Sequence, residues 1–375
     1  MQLFCVKPVV SYFERFHEFV DAFSLGPEDM VLTEQILFDS YMQKEHLPCY
    51  VFLKDQYDAG EPKEETVDAI LRDMQSLSLR RIIAIGGGSV IDIAKILCVQ
   101  NAYPCRRVMD QSIPMILDKE LVVLPSTCGT GSEVTFGGII TMKENGFKTG
   151  VLAPELSASH AVLVPELLTG LPLKVMLHCS VDALGHAMES YVSATRGNEM
   201  ARAVGGRAIS LLMENYAEMV REGPDARFRL LKQFLTASCL AGMAVNNGGA
   251  GPVHALAYPV GEVYHMSHGE SIYQFLTTVF SYYEDRADGP LLEELRQLMT
   301  PALKRAGRYT GHVFSDTESL LNIIWPNRRL RECGMTETDV EPFVNNIFQA
   351  KQRLLAASYT NFTETDAAAI YRNRL

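Results

Sequence analysis

No apolar run in this 375-residue chain approaches the roughly 18–20 residues of a membrane-spanning helix, so a membrane partner is not expected. A secretory signal is not expected either, because Lys7, Pro8 and Glu14 interrupt the start before an apolar core can form. Cysteine is present but unorganised: the eight residues show no CxxC spacing and no framework. They read as reduced thiols, and the expected location is cytoplasmic. Cationic residues are in deficit, 34 Lys and Arg against 45 Asp and Glu, with a net charge of -11. Nucleic acid is therefore excluded as a partner, since phosphate binding wants clustered positive charge. Low-complexity segments and repeats are absent. So are the GxGxxG fingerprint and the GK[ST] ending of a Walker A loop. What remains, 47% hydrophobic and 21% charged residues, is the composition of a soluble globular enzyme. The length exceeds one ordinary core, so two domains are expected.

The chemistry concentrates in GPVHALAYPVGEVYHMSHGE, Gly251 to Glu270, which holds His254, His265 and His268, three of only nine histidines. Pro252 suits a first helical position. Pro259 and Gly261 are expected to interrupt that helix, so that His254 and His268 face one point from two directions. A second stretch, SVDALGHAMESY, carries Asp182 and His186 four apart on a predicted helix, on one face. One carboxylate and three imidazoles form an N3O set suited to Fe(II) or Zn(II). The plainer alternatives are that Asp182 caps its helix after Ser180 and that the histidines are satisfied core residues.

Short apolar runs alternate with helical patterns in the first part of the chain. Strands are predicted at Asp29–Glu34, Tyr50–Lys54, Arg81–Ile85, Leu121–Leu124 and Ala161–Val164, with helices at Gln35–Leu47, Lys63–Leu77 and Val90–Val99. Such alternation predicts a parallel sheet covered on both faces. Around Glu144-Asn145-Gly146 the pattern becomes that of a hairpin. Pro165 to Pro172 marks the boundary, and beyond it helices dominate: Lys174–Val192, Met200–Arg221, Asp225–Met243, Gly269–Tyr283, Leu291–Ala306, Thr336–Ala357 and Glu364–Arg372. The expected architecture is an α/β domain over 1–168 and a helical domain over 169–375, with ligands in the cleft between them.

Gly86-Gly87-Gly88-Ser89 follows a buried strand and opens a helix, an arrangement that favours a phosphate at the helix N-terminus. A tight strand-to-helix turn explains the same residues equally well. PSTCGTGSEVT, Pro125 to Thr135, again follows a buried strand and offers Thr127, Thr130 and Ser132. Two such turns suggest a dinucleotide pyrophosphate. Glu34, at a strand end, is placed to bind a ribose diol, or is a solvated helix-start carboxylate.

GGGSVIDIAK, PSTCGTGSEVT, DALGHAMESY and HALAYPVG with HMSHGE together closely resemble the iron-containing (group III) alcohol dehydrogenases. The resemblance runs from about Asp29 to the C-terminus and includes Leu330-Arg331 to Gly334-Met335. Within the family the phrases are most similar to those of NAD-dependent 4-hydroxybutyrate dehydrogenases. The resemblance implies a dinucleotide-binding α/β domain, an all-α C-terminal domain, NAD as cofactor and a divalent metal, Fe(II) before Zn(II). It implies that Asp182, His186, His254 and His268 hold the metal. Gly87, Gly88, Ser89 and Asp92 would lie at the pyrophosphate, with Thr127, Thr130 and Ser132 nearby and Lys148 beside the nicotinamide ribose. Many members have a histidine four residues after the first metal histidine, where this chain has Tyr258. Tyr258 and His265 are therefore the candidate proton carriers. Tyr258, Tyr264 and His265 are also candidate donors to a substrate carboxylate. The implied reaction interconverts 4-hydroxybutyrate and succinate semialdehyde by hydride transfer. A general primary alcohol dehydrogenase is the alternative, and a dehydroquinate-synthase-like lyase fits the motifs poorly. A homodimer or larger homo-oligomer is expected.

Overall fold

The structure is a computed structural model describing residues 3–58, 60, 62–144, 148–287 and 289–375. The chain forms two compact units, Val6–Gly170 and Leu171–Leu375, the latter joined by residues 3–5.

The first unit carries all the strands found among the described residues: β1 Val9–Tyr12, β2 Asp29–Thr33, β3 Tyr50–Leu53, β4 Arg81–Gly86, β5 Glu120–Pro125, β6 Gly137–Thr141, β7 Lys148–Leu152 and β8 His160–Leu163. Six form a parallel sheet in the order β1-β8-β5-β4-β2-β3, and β6 and β7 pair as an antiparallel ribbon. Residues 145–147 between them, which include the expected Asn145-Gly146 turn, lie outside the described residues. Its helices are α1 Phe16–Phe23, α2 Gln35–Leu37, α3 Glu64–Met74, α4 Gly88–Leu97 and α5 Arg106–Met109. Every residue of β2 and β4 is buried, as strands covered on both faces require. A bidentate pair, Arg81 Nε and Nη2 to the two oxygens of Asp29 at 2.9 and 2.7 Å, pins the start of β4 to β2.

Two local expectations fail here. β1 precedes the first predicted strand; it is an edge strand whose exposed Val9 and Val10 break the buried pattern. The single helix predicted over Gln35–Leu47 is instead α2 followed by a π turn at Phe38–Met42 and a 3-10 turn at Gln43–Glu45. The buried side chains there are Leu37 and Met42, five apart, a spacing that a π turn aligns better than an α-helix does.

The second unit is helical: α6 Leu173–Val192, α7 Glu199–Glu222, α8 Arg227–Gly248, α9 Pro252–Tyr264, α10 His268–Arg286, α11 Pro290–Arg305, α12 Val313–Ile324, α13 Glu337–Ala350, α14 Gln352–Leu355 and α15 Glu364–Arg374. α12 was not anticipated, and the helix predicted over Thr336–Ala357 breaks at Lys351. Nor does Pro259 interrupt α9, which runs through it to Tyr264. In the turn before the proline, the Leu256 carbonyl accepts a hydrogen bond from the buried Tyr371 hydroxyl at 2.9 Å. The bond that Pro259 cannot make would have gone to the Ala255 carbonyl, one residue earlier, so this contact ties the turn to α15 without replacing it. The chain reverses later, at His265 in the left-handed region (φ 53°), and Ser267 then caps α10, accepting from the Glu270 amide. Among the described residues no helix is long and apolar enough to cross a membrane.

Candidate active site

α6 presents Asp182, His186 and Glu189 along one face, at offsets of four and seven residues. α9 brings His254 against that face and the first turn of α10 brings His268. The crossing is close. A methyl at Gly269, beside His268, would lie 2.2 Å from the His178 carbonyl of α6, so only glycine lets the backbones meet there.

Asp182, His254 and His268 offer ligand atoms that all lie within 4.8 Å of one another. Asp182 Oδ1 stands 3.5 Å from His254 Nε2, 3.5 Å from His268 Nε2 and 3.8 Å from His186 Nε2. Ligands about 2.1 Å from one ion are separated by roughly 3.0–3.4 Å, so the spacing suits a divalent cation after little adjustment. The ring of His186 stacks on His254, centroids 4.6 Å apart and 15° from parallel, at the margin of the trio. Asp182 Oδ1 and His254 Nε2 are buried and neither makes a hydrogen bond. Orphaned buried polar atoms are costly, and two of them aimed at one point fit a cation.

The electrostatics agree. Burial disfavours the Asp182 carboxylate, but His186, His268 and His254 outweigh it and hold the group well below the ordinary carboxylate value. Burial likewise opposes charge on His254, yet Glu189 and Asp182 raise it to about 10. The cluster attracts positive charge, whether a proton or a metal ion.

Glu189 went unrecognised in the sequence reading. It is buried, its Oε2 accepts from His254 Nδ1 at 2.5 Å, and its Oε1 accepts from the Val253 amide at 2.6 Å. The first contact places a proton on Nδ1, so Nε2, which faces Asp182, is the nitrogen that can bind a metal once its own proton leaves. The only sequence signal was its position, seven residues after Asp182 on the same helical face.

Of the other candidates, Tyr258 lies beside the cluster, its ring centroid 6.0 Å from that of His268. Tyr264 turns instead to Phe343, 6.0 Å away, and its hydroxyl is pushed up to about 12 by burial and by a hydrogen bond to Asp339. His265 is exposed at the end of α9. The expectation that all three crowd one point therefore holds only for Tyr258.

In the first unit, β4 and β5 are neighbours, so the two glycine-bearing turns at their ends are adjacent. Gly87 is the N-cap of α4, with no side-chain cap and no acidic residue in the first turn, which leaves the positive end of the helix dipole open. The turns are in contact: a methyl on Gly88 would sit 2.9 Å from the Thr130 side chain, and one on Gly87 would sit 3.4 Å from Thr127. Asp92 and Ser132 are bound to each other. Asp92 Oδ1 accepts from the Ser132 hydroxyl at 2.6 Å and Oδ2 accepts from the Ile139 amide at 3.0 Å. The wholly buried Lys95, also unforeseen, donates to Ser132 Oγ at 2.7 Å, Thr135 Oγ1 at 3.1 Å and the Gly137 carbonyl at 2.6 Å. This network holds the second turn on α4. Glu34 is the N-cap of α2; burial raises its pKa, with Lys54 opposing. Lys148 opens β7, opposite Thr141.

The family model for the iron-containing alcohol dehydrogenases matches residues 32–165, and that for the C-terminal part of the Fe-containing alcohol dehydrogenase family matches residues 176–375. A 4-hydroxybutyrate dehydrogenase of Clostridium kluyveri is 36% identical over 373 residues, 99% of each chain. Among solved structures, a sulfoacetaldehyde reductase from Bifidobacterium kashiwanohense in complex with NAD+ superposes with a TM-score of 0.85 at 20% identity, covering 100% of this chain and 99% of that one. A 1,3-propanediol oxidoreductase superposes with a TM-score of 0.84 at 23% identity, covering 100% of both. At these identities the structural likeness shows the fold: a parallel-sheet α/β unit followed by a helical one.

Proposed function

Since the chain belongs to the iron-containing alcohol dehydrogenase family and is an oxidoreductase, we propose that it interconverts 4-hydroxybutyrate and succinate semialdehyde with NAD(H) and a divalent metal. The observation that carries this reading is the full-length 36% identity to the Clostridium kluyveri 4-hydroxybutyrate dehydrogenase. Asp182, His186, His254 and His268 are the proposed ligands, and the orphaned atoms of Asp182 and His254 support them. When bound, the metal supplies Lewis acidity toward the substrate oxygen and the nicotinamide carries the hydride. Fe(II) is the first choice on family grounds and Zn(II) the second; elemental analysis of the purified protein separates them.

The protein's own part is to bind, orient and shuttle a proton. Glu189 fixes His254 in the tautomer whose Nε2 is a ligand. The amides of Gly88 and Ser89 at the open N-terminus of α4, with Thr127 and Thr130, receive the pyrophosphate. Asp92, Ser132 and Lys95 hold that second turn in place. Glu34 accepts from the adenosine ribose and its charge opposes a 2′-phosphate. Lys148 is assigned to the nicotinamide ribose. Tyr258, beside His268, is the proposed proton carrier, with exposed His265 as the second candidate. Location in the cytoplasm and assembly as a homodimer or larger are part of the same proposal, and sedimentation tests the assembly.

The experiment is NADH oxidation with succinate semialdehyde and with butyraldehyde, repeated with NADPH. Efficient use of the acid aldehyde with NADH is expected. Equal efficiency on the two aldehydes would instead mark a general primary alcohol dehydrogenase, and a preference for NADPH would remove Glu34 from the ribose.

A further inference from the structure

A carboxylate that leaves water needs a positive or strongly donating partner. Of the three side chains expected to supply it, Tyr264 faces Phe343 and His265 is exposed. Lys351 sits half-buried at the break between α13 and α14, where its backbone leaves helical geometry (φ -120°, ψ 26°). Its Nζ lies 4.0 Å from the ring centroid of Tyr258, and that ring is 6.0 Å from His268.

We propose that Lys351, held over Tyr258, recognises the carboxylate of the substrate and sets the preference for a hydroxy acid over a plain alcohol. The inference rests on the metal and substrate reading given above. An extended four-carbon hydroxy acid spans roughly 5–6 Å from its hydroxyl oxygen to its carboxylate. With the hydroxyl end at the cluster, an acid end that extends along the Tyr258 side meets the ammonium there. The cation–π contact holds the lysine near its working position before substrate arrives. Less side-chain freedom is then lost on binding. The sequence break that ends α13 at Ala350 is what points this lysine's segment at α9, against which both α13 and α14 pack.

The test compares wild type, Lys351→Met and Lys351→Arg, each loaded with the same metal. kcat/KM is measured with NADH for succinate semialdehyde and butyraldehyde, and 4-hydroxybutyrate binding is measured by calorimetry. Losing one charge-assisted bond should lower the acid-to-neutral ratio about 10- to 150-fold in Lys351→Met, chiefly through KM. Binding of 4-hydroxybutyrate should weaken by a like factor, and Lys351→Arg should restore most of both. A wild-type preference for the acid that survives unchanged in Lys351→Met overturns the inference alone. No acid preference in wild type overturns the substrate reading beneath it. Should Lys351→Met fail to fold, Lys351→Gln, equally neutral, is read by the same two criteria.

Discussion

Glu189→Gln isolates the link between α6 and the metal cluster. Glutamine keeps the size of glutamate but offers one acceptor and one donor where the carboxylate offers two acceptors. In the native arrangement both oxygens are used, one by the Val253 amide and one by His254 Nδ1–H. Whichever way the amide turns, its NH2 group faces one of those donors while His254 keeps its proton on Nδ1. In the metal-free protein, where Glu189 and Asp182 hold His254 charged, the imidazole can instead give up its Nδ1 proton and keep the one on Nε2, which faces Asp182 Oδ1 at 3.5 Å. A metal-bound His254 cannot, because Nε2 must then present its lone pair. An unsatisfied buried donor costs about 1–3 kcal/mol, so metal affinity should fall about 5- to 150-fold, and the metal-free protein should lose some stability as well because the buried Glu189–His254 charge pair is gone. That agrees with the 10- to 100-fold typical of losing a partner behind a ligating histidine. The assay is competition for Zn(II) or Co(II) against a chromogenic chelator, with thermal unfolding of the metal-free protein in parallel. Unchanged affinity, or lost stability with affinity intact, would refute the reasoning.

Three further outcomes are expected. His268→Ala should abolish metal binding without unfolding the α/β unit, checked by elemental analysis and circular dichroism; full metal content would remove His268 from the ligand set. Gly269→Ala places a methyl 2.2 Å from the His178 carbonyl, so α10 must shift from α6, with a loss of about 1–3 kcal/mol in denaturant unfolding and weaker metal binding. Lys95→Met strands Asp92 and frees Ser132, so a destabilisation of about 3–5 kcal/mol and weaker NADH binding by fluorescence titration should appear together.

Much of this protein is local and therefore readable in the chain. Runs such as RIIAI and LVVL predict strands buried on both faces, and β4 and β5 are such strands. Asp182 and His186 share a face because a helix repeats every 3.6 residues, whatever surrounds it. The hydrogen-bonding capacity of each side chain in HMSHGE is likewise intrinsic.

What local pattern does not carry is decided by packing between distant segments. Pro259 ought to break α9, but the helix runs through it to Tyr264, and Tyr371, 115 residues away from Leu256, ties the turn before it to α15. Glu189 reads as one more polar helix residue until α9 brings His254 to it across 65 positions. Lys351 gains its meaning only because the chain leaves helical geometry there and the ammonium comes over Tyr258. Composition and periodicity determine which elements form and which chemical groups they carry. Only the tertiary structure determines which of those groups meet, because burial and desolvation act on segments far apart in sequence and turn ordinary polar residues into a site.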